Sequence, residues 1–521
     1  MTTSRSGIDG LGAAAEAPTS PIAGGKRLGV LIALCLAVLV VGLDTTVLNV
    51  ALPTLSRELE ASTGQLQWMA NSYNLVLAAL LLPAGLIGDR FGRKKTLVIA
   101  LLTFGASSVW CALSVSADEL IAARAFLGIG AALLVPVVMS LITVLFPDDA
   151  ERKKAISFFV VANSIGLPLG PIVGGLLLDH FSWSSIFWIS VPVAGIAAIA
   201  VASLVPESKS ARRPSIDYLG ILVSSGALAS LVYGITLAGE RGWGDPTALI
   251  LIAVFVVAAP MFVAHERRLA RMDKTPLVQL ELFRSPAFVW GTVLITVAVF
   301  SMFGLLFVMP QYFQIIGGAD ALNTGLQLLP FIGGMLVGAK LASPLDSRLG
   351  PKYTAAVGFF IMAVGVGAGA LTGTSTPYGF VAAWFAVAGA GAGFAMPSAM
   401  NAALGELPLD RAGAGSSLIQ AMRQVGGTVG IAVLGTVLNA VYRARVDTTG
   451  LSTAAADTAS KGAANGVVVA GQLNSPDLLD SVTAAFTGSL DVMLLVCTGV
   501  AVAGVMLSLA FLPGKKASEA N

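Results

Sequence analysis

Apolar runs about as long as the ~20-residue helix that crosses a bilayer core recur along almost the whole chain, separated by short polar connections. They fall near 28–53, 65–88, 96–115, 119–143, 155–178, 185–205, 217–239 and 247–264, then near 286–310, 323–345, 353–373, 377–404, 411–441 and 485–512. The pattern predicts fourteen transmembrane helices. Two polar stretches are longer. Residues 265–285 carry Arg267, Arg268, Arg271 and Lys274 ahead of an apolar segment, Leu277 to Phe283, that either lies along the membrane surface or is a solvated linker. Residues 443–484, rich in Ala and Gly, read as a mobile loop or a short hairpin. The first 25 residues read as a disordered tail, and the run after Lys26 and Arg27 exceeds a signal-peptide core, so it is expected to stay as the first span.

Composition agrees, because a chain 56% hydrophobic and only 12% charged has too little polar surface for a soluble fold. The expectation is therefore an all-α membrane protein. An even number of spans puts both termini on one side, and basic residues test which side, since cytoplasmic loops carry the Lys and Arg excess. With cytoplasmic termini, 23 of the 31 Lys and Arg lie inside, against Arg57, Arg241, Arg443, Arg445 and Lys461 outside and Arg124, Lys340 and Arg423 within spans. Removing one span would scatter the basic clusters at 93–95, 152–154, 212–213 and 267–268 to opposite faces.

Other classes fit poorly. The net charge of +2 and the scattered bases speak against nucleic acid as a partner. No phosphate-binding Gly-x-x-x-x-Gly-Lys-Ser/Thr loop occurs, which argues against an ATP-driven pump. Cys35, Cys111 and Cys497 lie singly in apolar runs, and His180 and His265 fall on opposite predicted faces, where they cannot share a metal. Neither a metal, a cofactor nor an enzymatic activity is expected.

Four motifs stand in order on successive spans: 43–53 (LDTTVLNVALP), 85–94 (GLIGDRFGRK), Arg124 in 120–130 (LIAARAFLGIG), and 166–175 (GLPLGPIVGG). Together they resemble the signatures of the fourteen-helix drug:proton antiporter family of the major facilitator superfamily. That resemblance implies two six-helix bundles with two helices inserted between them. A worn copy of the second motif, 343–352 (SPLDSRLGPK), aligns Arg348, Gly350 and Lys352 with Arg90, Gly92 and Lys94, and so supports two repeated halves. The expected organisation is a cytoplasmic tail (1–25), a first bundle (26–206), the inserted pair (207–265), a cytoplasmic linker (266–285), a second bundle (286–514) with the external loop 443–484, and a short cytoplasmic tail (515–521).

Asp44 lies well inside the first span, where an ionised carboxylate is tolerated only beside a cavity or a partner. It is either the proton carrier, as the family's motif acid is, or a permanently paired structural acid. Arg124 matches the family arginine that modulates that site, or else snorkels to the helix end. Gly85, Asp89, Arg90, Gly92, Arg93 and Lys94 resemble the superfamily's conformational gate. Gly166, Gly170, Gly174 and Gly175, with Pro171, give a smooth bent face that resembles the motif of exporters; ordinary small-residue packing is the plainer reading. Arg423 either binds substrate or pairs with Glu406 or Asp410, and pairing is favoured. For the substrate cavity, the candidates near midspan are Trp68, Tyr73, Asn163, Met302, Phe303, Phe307, Gln311, Gln327, Phe394 and Met396, types that suit bulky apolar ligands, and fewer than half are expected to touch one. The resulting expectation is a monomeric, proton-coupled exporter of amphipathic or cationic small molecules in the cytoplasmic membrane. The alternative is an exporter dedicated to one metabolite, by the same mechanism.

Overall fold

The computed structural model describes residues 24–146, 148–209, 217–272, 277–278, 280–405 and 409–514; within helices, the side chains at Gly85, Asp89 and Asn163, most between 149 and 168, and 409–414 lie outside the description. Among the described residues there is no strand. The first half comprises α1 (Gly24–Glu58), α2 (Thr63–Phe91), α3 (Arg93–Leu113), α4 (Ala117–Leu145), α5 (Asp149–His180) and the broken pair α6 (Ser185–Trp188) and α7 (Ser190–Leu204). Then come α8 (Tyr218–Arg241) and α9 (Pro246–Arg271). The second half comprises α10 (Pro286–Ile315), the broken pair α11 (Ala321–Gln327) and α12 (Leu329–Leu349), α13 (Pro351–Gly369), α14 (Tyr378–Gly405) and α15 (Leu409–Arg445), followed by α16 (Thr453–Ser460), α17 (Ala463–Gln472) and α18 (Pro476–Phe511).

Among the described residues, twelve of these helices, the broken pairs counted once each, are long and apolar enough to cross a membrane. Two more, α2 and α5, have the length at 29 and 32 residues. Gln67, Asn71 and Asn74 of α2 are buried. The helices start where the chain offers a cap: Ser62, Ser116, Asp217, Asp245, Ser285 and Asp320 each accept a first-turn N–H.

The halves repeat. In the first, α1 packs on α5 and α7, while α4 packs between α2 and α3; in the second, α10 packs on α15 and α18, while α14 packs between α12 and α13. The repeated motif falls at equivalent turns, with Gly92 (φ 112°) joining α2 to α3 and Gly350 (φ 83°) joining α12 to α13, a region of backbone space that favours glycine. Across the halves, α5 meets α11 and α2 meets α15. Of the inserted pair, α8 lies against both α2 and α15, and α9 packs on α8. Only 6% of the apolar window of α9 is buried, against 72% for α1, so α9 turns Leu249, Ile250, Val254 and Val257 outward to lipid.

The 443–484 stretch differs from the expected loop or hairpin, since it holds α16 and α17. Ala459, Ala463, Val469 and Ala470 are buried, and this apolar face folds the segment down over the α1–α2 connection. There Thr63 N donates to Lys461 O at 3.2 Å and Asn465 Nδ2 to Ala61 O at 3.3 Å. In the linker after α9, Leu282 is buried in a 3-10 turn, Leu280–Arg284.

Candidate functional site

Three helices converge on one buried ion pair. Arg124 of α4 donates from Nη1 to Asp44 Oδ2 of α1 at 2.7 Å and from Nε to Met69 O of α2 at 3.1 Å. Both charged side chains are 2% exposed. The guanidinium also stands 4.5 Å over the ring of Tyr73, one helical turn past Met69. A charge pair taken out of water is held only by such complete partnering, and the arginine's several N–H groups allow it to serve an acid and a carbonyl at once.

On the neighbouring face of α1 lies a narrow crevice of about 30 Å³, between the halves. Thr45, Thr46 and Asn49 line it from α1, facing Met302, Phe303 and Leu306 of α10 and Phe331, Ile332 and Met335 of α12. Pro171 of α5 completes it. The crevice is about the size of one water molecule, with a polar wall on one side and an apolar, Met- and Phe-rich wall on the other.

The glycine face of α5 presses on this same stretch of α1. A Cβ at Gly166 would lie 2.7 Å from Gly42 C, one at Gly170 would collide with Thr46 Oγ1, and one at Gly174 would lie 2.7 Å from Val47 Cγ2. Gly175 looks the other way, with its Cβ position 2.5 Å from Leu322 Cα of α11. The helix thus joins the site on α1 to the second half.

The sequence matches the Major Facilitator Superfamily model over residues 34–431. The chain is a member of this superfamily. Among its curated relatives, the facilitator is similar to a tetracenomycin C resistance and export protein of Streptomyces glaucescens, 33% identical with 81% of this chain and 78% of the relative covered. It is similar to the multidrug efflux pump LfrA of Mycolicibacterium smegmatis, 31% identical over 87% and 90%. It also resembles a methylenomycin A resistance protein of Streptomyces coelicolor, 34% identical over 84% and 91%. Among solved structures, a bacterial homologue of the human lysosomal transporter Spinster, inward-facing and unoccupied, superposes with a TM-score of 0.68 at 18% identity, covering 94% of this chain and 98% of that one. A D-xylose–proton symporter gives 0.60 at 18% identity, covering 94% and 98%. At these identities the two structures speak for the fold alone.

The other residues singled out in the facilitator's sequence are dispersed. Met302 and Phe303 line the crevice, and Tyr73 lies under Arg124. Trp68 stacks edge-on against Tyr233 of α8 at 5.4 Å. Phe307 is fully buried, and Gln311 turns back to donate to Phe307 O at 3.0 Å. Gln327 carries a buried Oε1 without a hydrogen-bond partner, Phe394 packs toward Gly358 of α13, and Met396 lies against the core. Arg423 donates to Gln420 Oε1 at 2.7 Å; Glu406 and Asp410, its expected partners, lie outside the described side chains, as do Asn163, Gly85 and Asp89. Lys340 is exposed on α12 beside exposed Leu336, Val337 and Leu341.

In the gate-like motif, Arg90 stands 5.7 Å over Phe91, and Arg93 is buried. Two acids that the sequence reading passed over hold key helix starts. The Glu207 carboxylate accepts from Lys94 N and Lys95 N, both at 3.1 Å, and so caps α3 from the far end of the same half. The Asp179 carboxylate of α5 accepts from Ala321 N at 3.1 Å and Leu322 N at 3.3 Å, capping α11 across the two halves. Both acids sit at the ends of apolar runs, where sequence alone marks only a boundary.

Proposed function

We propose that the chain is a proton-coupled antiporter that exports amphipathic or cationic compounds by rocking its two halves about the crevice. The observation that carries this reading is the buried Asp44–Arg124 pair on the face of α1 next to the crevice residues Thr45, Thr46 and Asn49. The family and the export and efflux functions named for its relatives support it.

Asp44 is the proton carrier in this reading. Its protonation removes the charge that holds Arg124, which keeps Met69 O and the Tyr73 ring as partners, so α1 is freed from α4. The movement reaches substrate because α1 bears both the acid and the polar wall of the crevice. An apolar wall of Met and Phe suits varied amphipathic ligands. One elementary charge crossing ~100 mV releases ~2.3 kcal/mol, enough for roughly fortyfold accumulation at ~1.4 kcal/mol per decade.

The basic-residue distribution supports cytoplasmic termini in a fourteen-span threading, with α2 and α5 counted among the spans. In that orientation the capping of α11 by Asp179, the Gln314 Nε2 to Val50 O bond at 3.1 Å and the α16–α17 cover all close the external end. One chain supplies both halves and every crevice residue, consistent with a monomeric transporter.

The test is substrate-triggered proton movement in proteoliposomes under an imposed pH gradient, with lipophilic cations and neutral antibiotics offered in turn. The wild type should release protons with at least one compound, and Asp44→Asn should abolish that release while still binding it. Full coupled flux in Asp44→Asn would remove Asp44 as carrier. A response to one compound alone would favour the dedicated exporter.

A further inference from the structure

At the end of the inserted pair that leads into the second half, Asp217, His265 and Glu266 bring one ligand atom each to within 4.8 Å of one another. Asp217 caps α8, and the other two residues sit near the end of α9. Glu266 is 0% exposed, and its Oε1 has no hydrogen-bond partner. Its other oxygen, Oε2, accepts from Val278 N at 2.9 Å. Asp217 is likewise held by a backbone donor, Gly220 N to Oδ1 at 2.9 Å, but both of its oxygens also meet His265 Nε2 at 3.0 Å.

Each carboxylate is thus oriented by a backbone N–H, as the outer partners of metal ligands orient them; Glu266 Oε1 is left without a donor, while Asp217 Oδ2 shares the His265 imidazole nitrogen with Oδ1. Glu266 Oε1 and Asp217 Oδ2 face one place. A Cβ built on Gly220 would collide with Asp217 Oδ2 and lie 3.0 Å from Glu266 Oε1. Glycine at 220 therefore keeps open the space in front of them. A buried carboxylate oxygen with no donor is costly, so the space between Glu266 Oε1 and Asp217 calls for a proton or a cation. An imidazole nitrogen with two carboxylate oxygens is a donor set that zinc accepts, with water completing the tetrahedron.

We propose that Asp217, His265 and Glu266 bind one divalent transition-metal ion, zinc foremost, which ties α8, α9 and, through Val278, the segment leading into α10. This site lies apart from the Asp44–Arg124 pair and does not rest on the transport reading. No metal is expected from the sequence because His180 and His265 fall on opposite predicted faces; this site needs only His265, since its other ligands are carboxylates.

The test uses tag-free full-length protein in detergent, stripped with chelator and titrated with zinc chloride by calorimetry, with thermal unfolding measured in parallel. The wild type is expected to bind one equivalent and to gain several degrees in Tm. His265→Gln and Glu266→Gln should each weaken binding at least tenfold and lose the gain in Tm, while His180→Gln keeps both. Should Glu266→Gln fail to fold, Gly220→Ala, whose methyl fills the space before Glu266 Oε1 and Asp217 Oδ2, should show the same loss. Absence of zinc binding by the wild type, or wild-type binding by both His265→Gln and Glu266→Gln, overturns the proposal.

Discussion

Arg124 is the residue on which the buried pair depends, because it donates to both the Asp44 carboxylate and the Met69 carbonyl. Removing one member of a buried pair strands the other charge and costs roughly 3–5 kcal/mol. Arg124→Ala should therefore lower the thermal unfolding temperature sharply. Adding Asp44→Asn to it should recover a good part of the loss, since no unpaired charge is then left. A double variant no more stable than Arg124→Ala would mean that the arginine's bond to Met69 O and its stacking on Tyr73, and not the ion pair, carry the stability.

At the scale of elements, α5 is set on α1 by glycines at every fourth position, and the tightest approach is Gly170 on Thr46. Gly170→Ala adds a methyl where there is no room, and overpacking of this kind costs about 1–3 kcal/mol. The expected outcome is reduced transport with a lower Tm, partly restored by Thr46→Ala, which withdraws the hydroxyl that the methyl meets. An unchanged Tm would show that α5 can shift away from α1 freely. The worn motif copy at 343–352 aligns Gly350 with Gly92, and the structure gives both a positive φ at the ends of α12 and α2.

For the whole molecule, the decisive contacts are those between halves. Asp179 holds the start of α11 with two backbone N–H groups, and loss of such a cap costs about 1 kcal/mol. That is enough to move a balance between two arrangements roughly fivefold. Asp179→Ala should accordingly speed the labelling of a cysteine at Asn49, a crevice residue, by an impermeant maleimide added from outside. Labelling at the wild-type rate would remove Asp179 from the seal.

The periodicity of apolar runs determined the all-helical membrane architecture, because a bilayer admits few other ways to satisfy backbone polar groups. Every run coincides with a helix or a broken pair, and Asp44 and Arg124 stood out since charges are rare at such depth. Only the tertiary structure decided which residues meet. The bond from Arg124 to Met69 O, the crevice face of α1 and the turn of Trp68 toward α8 depend on helix rotation, which long apolar helices with little amphipathic contrast do not encode locally. The loop at 443–484 became helices because its small apolar positions found a surface to cover, and Asp217 met His265 from 48 residues away. Sequence spacing carries no record of contacts made between separate helices; packing alone creates them.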